Sequence, residues 1–325
     1  MNIRILIVTF LLIIISLSSY AQLLVNEEPI VLITNTGNID GTLRVPLSKK
    51  PIPVTIIIAG SGPTDRDGNQ PTMRNNSLKM LSEALFYNNI ASLTFDKRGI
   101  AGSKQSYQNE SDLRFEHYIE DVKQWIDLLK ADKRFSDIIV LGHSEGSLIG
   151  MVAAQSNSSV SKYISVAGVG EPAANILKEQ LEKQLAGQPQ ATQDIIFSYI
   201  DKLEKGETIE NVPPSLNSLF RPSVQPYMIS WFKYDPKKEI SKLKIPILII
   251  QGTTDLQVSV NQAELLYEAA PSSEKIVIEN MNHILKDCVD TSMQTQISTT
   301  YNNIHTPINK ELIEAITNFI KKQRK

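Results

Sequence analysis

Short, unbroken apolar runs alternate with longer amphipathic stretches over most of this chain. Residues 30–34 and 39–45 are apolar-rich and flank the turn cluster Asn35-Thr36-Gly37-Asn38, a pattern that predicts a β-hairpin. Residues 46–53 read as a linker. Residues 54–59 form a continuous run rich in β-branched side chains, as expected of a strand buried on both faces of a sheet. Gly60-Ser61-Gly62-Pro63 ends that run. Leu78, Leu81, Leu85 and Phe86 recur at helical spacing within 77–87, and residues 90–95 predict the next buried strand. Asp96-Lys97-Arg98-Gly99 and Gly102-Ser103 form the loop after it. Tyr118, Val122, Trp125, Ile126 and Leu129 share one face of a helix predicted over 117–130. A strand at 138–141, a helix at 147–154 and a strand at 160–167 follow.

The rhythm then breaks. Residues 171–241 carry two long polar–apolar helical patterns, around 176–185 and 192–203, then Pro213-Pro214 and an aromatic segment, with no strand signal. They read as a helical cap inserted between two strands. Strands resume at 245–251 and 275–279, with a helix at 260–270 between them. Residues 287–305 are polar without a clear period; a stretch of that length inside a compact domain is usually functional or disordered. Thr306-Pro307 is expected to cap a last helix, which places Ile308, Leu312, Ile316, Phe319 and Ile320 on one face. Alternation of strand and helix after an initial hairpin predicts an α/β fold with a mostly parallel sheet flanked by helices. The core is then 22–170 plus 242–325, and 171–241 is the cap.

The N-terminus does not follow this pattern. One positive side chain in residues 1–4 precedes an almost wholly apolar run at 5–15, and Ser19-Tyr20-Ala21 fits a small-x-small cleavage site. Residues 1–21 therefore read as a secretory signal peptide. The apolar run is short for a membrane span of about 20 residues, so no stable membrane anchor is expected after cleavage, and the mature protein is expected in the periplasm or outside the cell. A 325-residue chain that is 42% hydrophobic can build a sizeable core, and its net charge of −2 lacks the basic footprint of a nucleic-acid binder. Cys288 is the only cysteine, which excludes an intramolecular disulfide, and it is expected to be a small buried hydrophobe.

Candidate chemistry centres on Gly142-His143-Ser144-Glu145-Gly146, a G-x-S-x-G pattern between a buried-strand run and a helix. That is the context of a nucleophile elbow, in which Ser144 is held in a sharp turn and the glycines let strand and helix approach closely. The competing reading is a tight strand-to-helix turn without chemistry. A serine hydroxyl needs a base within hydrogen-bond reach, and the base needs a group that fixes its tautomer. Of the four histidines, His143 adjoins Ser144 and must point elsewhere on the turn, His117 lies at a helix start, and His305 lies in a loop just before a helix. His283 follows the last strand and is the candidate base. Asp255, after the strand ending in Gln251-Gly252, is the candidate acid, and the competing reading is that it caps the next helix. Asp287 and Asp290 are weaker alternates. The oxyanion donors are assigned to the backbone N–H groups of Glu145 and Ser61, with Gly62 as the alternate to Ser61. Tyr227, Trp231 and Phe232, within a run that includes Phe220 and Tyr234, either line a substrate pocket or form the cap's own small core.

These residues, with Asp65-Arg66-Asp67, Asp96-Lys97-Arg98-Gly99 and Asn282-His283, arrive in the order Ser144, Asp255, His283. In that order the chain resembles the α/β-hydrolase superfamily, most closely exported bacterial esterases and the serine-aminopeptidase or monoacylglycerol-lipase-like branch. The resemblance implies an α/β-hydrolase fold and a serine hydrolase acting on a small-molecule ester or short peptide, without metal or organic cofactor. It also implies that the Asp96 and Arg98 loop is structural. Carboxylic ester cleavage is the leading expectation. Amide hydrolysis by the same three residues is the alternative, and a non-catalytic binding module on this fold is a minor one. The Glu145 side chain either captures an amino terminus or braces the elbow.

Overall fold

The computed structural model describes residues 25–155 and 157–323, so the expected signal peptide at 1–21 lies outside the described residues. A hairpin of β1 (Glu27–Thr34) and β2 (Gly37–Arg44) opens the chain. Then come β3 (Ile52–Ile58), α1 (Ser77–Tyr87), β4 (Ala91–Phe95), α2 (Phe115–Ala131), β5 (Phe135–His143), α3 (Glu145–Gln155) and β6 (Val160–Val166). The regular elements between β6 and the next strand are all helical: α4 (Ala173–Gln184), α5 (Gln190–Glu204), α6 (Asn217–Phe220), α7 (Gln225–Trp231) and α8 (Pro236–Ser241). The chain ends with β7 (Ile247–Gly252), α9 (Val260–Ala269), β8 (Glu274–Ile278), α10 (Met293–Gln296) and α11 (Lys310–Lys321).

The eight strands form one sheet in the order β1-β2-β4-β3-β5-β6-β7-β8. β1 and β2 pair antiparallel, as do β2 and β4, and the other pairs are parallel. The unbroken apolar runs in β3, β4 and β5 follow from this placement. Ile56, Leu93 and Val140 pack toward one face with Trp125 and Ile149, whereas Ile57, Ile139 and Leu141 pack toward the other with Leu81 and Ile316. A strand with helices on both sides has no face to give to water. β4 and β5 lie on opposite sides of β3, so the strand order reverses there. Ligand sites of open α/β sheets form at such a crevice, at the carboxyl ends of the strands.

Three expectations need correction. The cap of α11 is Asn309 and not Thr306: its side-chain oxygen accepts from the Leu312 N–H at 2.8 Å. Cys288 is not in the core. It is half-buried in the polar stretch after β8, with Sγ 3.5 Å from the Asp290 carbonyl. The 287–305 stretch is built rather than featureless, because α10 continues into a π-helical turn at Ile297–Tyr301. Its polar side chains hid it from apolar periodicity, since they bond the neighbouring loops instead of filling a core.

Candidate active site

The elbow forms because two positions tolerate no side chain. A Cβ on Gly142 would lie 2.2 Å from the Gly146 carbonyl oxygen, and one on Gly146 would lie 2.3 Å from the Ile58 carbonyl oxygen. Ser144 between them is in the left-handed region with φ 55°. Such a conformation costs a non-glycine residue of order 1–3 kcal/mol and persists only where the surroundings impose it. Here the Ser144 N–H donates to the Val166 carbonyl at 3.0 Å, and its carbonyl accepts from the Ser147 N–H at 2.9 Å.

His283 and Asp255 come from the loops after β8 and β7 and meet directly. His283 Nδ1 is 2.8 Å from Asp255 Oδ2, and both side chains are buried. Gln251 Nε2 donates to the same carboxylate oxygen at 3.0 Å. The other oxygen accepts from the Gln257 and Val258 N–H groups at 2.8 and 2.9 Å. Burial by itself would raise the Asp255 carboxyl, but His283 and these backbone donors outweigh it and hold the pKa below the usual carboxylate value. Asp255 is therefore no helix cap; α9 starts later, with Ser259 at its N-cap. The alternates lie elsewhere: Asp287 accepts from Asn309 and Asp290 caps its own turn at Ser292. His117 accepts from the Arg114 N–H at the start of α2, and His305 is exposed in a loop.

The His143 side chain turns toward His283. Its Nε2 is 2.8 Å from the His283 carbonyl oxygen, and the two rings lie 4.9 Å apart. Burial first, and the neighbouring His283 second, lower its pKa to about 4. The ring is thus neutral at pH 7, and Nε2–H donates to the His283 backbone. Asn282 adds a second brace, with Nδ2 donating to Thr300 Oγ1 at 2.8 Å and Oδ1 accepting from the Lys286 N–H at 3.1 Å. Gln296 donates to the Thr254 carbonyl at 2.9 Å, so the 287–305 stretch supports the acid loop as well as the histidine loop.

Two cavities meet at Ser144. A small one of about 50 Å³ is lined by Ser144, His283, Gln257 and Tyr301, among others. A larger one of about 400 Å³ runs from Ser61, Gly62, Ser144 and Glu145 to Ile176, Leu177, Tyr227, Met228 and Trp231 on the helices between β6 and β7. Of the three aromatic candidates, Tyr227 and Trp231 line it. Phe232 does not: it packs into a cluster with Phe220, Ile200 and Leu203. Helical geometry permits this, since adjacent residues point about 100° apart and Phe232 falls on the side of the helices' own interior.

Ser61 and Gly62 both reach the larger cavity, as does Glu145. No hydrogen bond within the described protein uses the Ser61 or Glu145 N–H, so both remain available to a ligand. The Glu145 carboxylate does not face the substrate space as a free acid. It pairs with Lys97 Nζ at 3.0 Å, and both side chains are 2% exposed. Beside it, the Tyr227 hydroxyl is held well above the ordinary tyrosine pKa by burial and then by the Glu145 charge. The neighbours of Lys97 are structural: Asp96 holds Arg66 through Nε at 3.0 Å and Nη2 at 2.7 Å, and Arg98 holds Asp121 through Nε at 2.7 Å and Nη2 at 2.6 Å. Sequence reading passed over the His143 ring and the Lys97–Glu145 pair. A histidine beside a nucleophile, and a lysine and glutamate 48 residues apart, carry no periodic signal.

The family described as serine aminopeptidase, S33, matches residues 75–200, the stretch that contains the elbow. Esterase EstD of Thermotoga maritima is 25% identical over 253 residues, 77% of this chain. The match spans 58% of that relative's own length. Among solved structures, Est1E from Butyrivibrio proteoclasticus superposes with a TM-score of 0.57 at 16% identity, covering 90% of this chain and 96% of that one. An esterase of Pyrococcus furiosus superposes with a TM-score of 0.59 at 16% identity, covering 92% and 91%. The sheet order, the elbow and these likenesses agree: the chain has an α/β-hydrolase fold and is similar to serine-aminopeptidase-like and esterase members of that superfamily.

Proposed function

We propose that the protein is a serine hydrolase that cleaves carboxylic esters through an acyl-enzyme. The observation that carries this reading is the buried 2.8 Å contact of His283 Nδ1 with Asp255, on a histidine that shares a cavity with Ser144. Asp255 fixes the tautomer with its proton on Nδ1, which leaves Nε2 as the base. Ser144 Oγ attacks the ester carbonyl carbon while His283 Nε2 takes its proton. The carbonyl oxygen becomes an oxyanion held by the Ser61 and Glu145 N–H groups, and Asp255 stabilises the imidazolium. His283 then gives the proton to the departing alcohol, and the acyl group stays on Ser144. Water attacks that ester with His283 again as base, releasing the acid and restoring the serine. These steps rest on positioned donors and proton transfer by the chain's own residues.

The residues at 171–241 serve as a cap whose α4 and α7 close the larger cavity over the acyl group. The two cavities have different linings, and this supports an acyl site in the larger, apolar one and alcohol exit on the His283 side. Ester is favoured over an aminopeptidase substrate because the Glu145 carboxylate beside the elbow is already paired with Lys97 and is not free to receive a substrate's ammonium group. The pattern at 1–21 supports export, which N-terminal sequencing of the mature protein tests. For the activity, purified protein is expected to hydrolyse p-nitrophenyl esters and to be labelled on Ser144 by a fluorophosphonate. Absence of both in folded protein overturns the proposal.

A further inference from the structure

A buried ammonium group joins the two loops that carry the proposed oxyanion donors. Lys97, just past β4, donates from Nζ to the Gly60 carbonyl at 2.6 Å and to Glu145 Oε1 at 3.0 Å. The Tyr118 ring covers it from the side, its centroid 5.0 Å from Nζ. Taking two ions out of water costs several kcal/mol each, and apolar residues of similar volume commonly do as well or better for stability. Stability alone is therefore a weak account of the pair.

Its contacts supply a stronger one. The Gly60 carbonyl and the Ser61 N–H are opposite ends of one peptide group. That group is planar and trans, so the two bonds point in opposite directions. An ammonium that pins the oxygen sets where the N–H aims, and the bond also polarises the amide and strengthens its N–H as a donor. The other partner of Lys97 is the side chain of Glu145, whose own N–H is the second donor. Space here is tight: a Cβ on Gly60 would lie 3.1 Å from Ser144 Cβ, so a small rotation of the peptide changes the distance to the reacting centre.

Building on the reading of Ser144 as nucleophile, we propose that Lys97 is a positioning residue for the oxyanion hole, aiming the Ser61 N–H through the Gly60 carbonyl and tying that peptide to the elbow through Glu145. Since Glu145 neutralises Lys97, the pair contributes direction rather than net positive charge. It acts on the transition state, where the oxygen carries charge, and little on the bound ester.

The test is the double variant Lys97→Met/Glu145→Met, which removes both charges and strands neither. The readouts are kcat and KM for p-nitrophenyl butyrate, the inhibition constant of an alkyl trifluoromethyl ketone whose adduct with Ser144 bears an oxyanion, and the thermal midpoint. Loss of one oxyanion donor costs roughly 10²–10³-fold in kcat, and mis-aiming one is expected to cost about 10–100-fold. KM should stay within about twofold, ketone binding should weaken by the same factor as kcat, and the midpoint should not fall. If the methionine pair does not fold, Lys97→Gln/Glu145→Gln keeps a neutral polar pair whose amide stops one bond short of the Nζ position, and the same losses are expected. A folded double variant with unchanged kcat and ketone affinity overturns the inference while the wild-type enzyme still supports the hydrolase reading. Wild type that neither turns over ester nor reacts with a fluorophosphonate overturns that reading instead.

Discussion

The strand ends and the helices between β6 and β7 bound the same cavity but are built on different rules. At the strand ends each candidate residue is held through backbone groups. Ser144 is locked between two glycines that admit no Cβ, Asp255 accepts two N–H groups of its own turn, and the His283 carbonyl is gripped by His143. The strands below them are packed on both faces and cannot shift singly. The helices of 171–241 instead carry a small interior of their own. Phe220, Ile200, Leu203 and Phe232 fill it, and the buried Gln225 bonds the Ile209 and Phe220 carbonyls within it at 2.9 and 2.8 Å. That interior is joined to the core by Tyr227, Trp231 and Tyr234 packing on Phe115 and by polar contacts: Arg221 with Glu110, the Ser230 hydroxyl with the Phe115 N–H, and Gln262 with Glu171. Chemistry needs atoms held to fractions of an ångström, whereas fit needs only a wall of suitable shape. The proposed division of labour follows from that difference.

Substitutions can break or sharpen this contrast. The largest effect is expected at the elbow. Ser144→Ala should lower kcat on the order of 10⁶-fold with the fold intact; ester turnover within tenfold of wild type would remove the strand ends from the reaction. Next is Asp255→Asn, which keeps the shape but reverses the hydrogen bond that sets the His283 tautomer. Here a loss of about 10⁴-fold in kcat is expected, with KM little changed, by steady-state kinetics.

Within the helices, two adjacent aromatics should part company. Phe232→Ala is expected to cost about 3–5 kcal/mol in a denaturant titration, because it empties a packed interior, and to leave acyl-chain preference as it was. Trp231→Ala opens the cavity wall and should shift preference toward longer acyl chains across a p-nitrophenyl ester series. If Phe232→Ala moved the chain-length profile and Trp231→Ala did not, the separation of interior from wall would be wrong.

The smallest effect concerns pH. His143 is held neutral down to about pH 4 in the fold, against 6.5 for an ordinary histidine. Between those values the unfolded chain binds more protons than the native one. The His143 contribution is therefore fully present above about pH 6.5 and is lost as pH falls to about 4, a change of about 3 kcal/mol. Urea midpoints of wild type and His143→Phe should diverge at high pH and converge across that window. Parallel curves would exclude His143 as the titrating group.

Much of this was legible before any coordinates, for a physical reason. Buried parallel strands must be almost wholly apolar, so 54–59, 90–95 and 138–141 could not hide, and the amphipathic period of α2 matched its buried face of Tyr118, Val122, Trp125, Ile126 and Leu129. Glycines that admit no Cβ leave a mark of the same kind, and Gly142 and Gly146 flagged Ser144. Illegible were the contacts made by polar side chains over long separations. Gln296 bonding Thr254, Asn282 bonding Thr300 and Lys97 bonding Gly60 follow no period, since each depends on where two loops come to rest.

Sequence by itself determined the sheet's buried strands, the elbow and the order Ser144, Asp255, His283, because local backbone constraints and burial restrict which residues can stand there. Only the tertiary structure decided that His143 braces His283, that Glu145 belongs to Lys97, and that Tyr227 and Trp231 face the cavity while Phe232 does not. Those choices are set by which surfaces meet when helices and loops pack on the sheet, and a chain written in one dimension does not contain them.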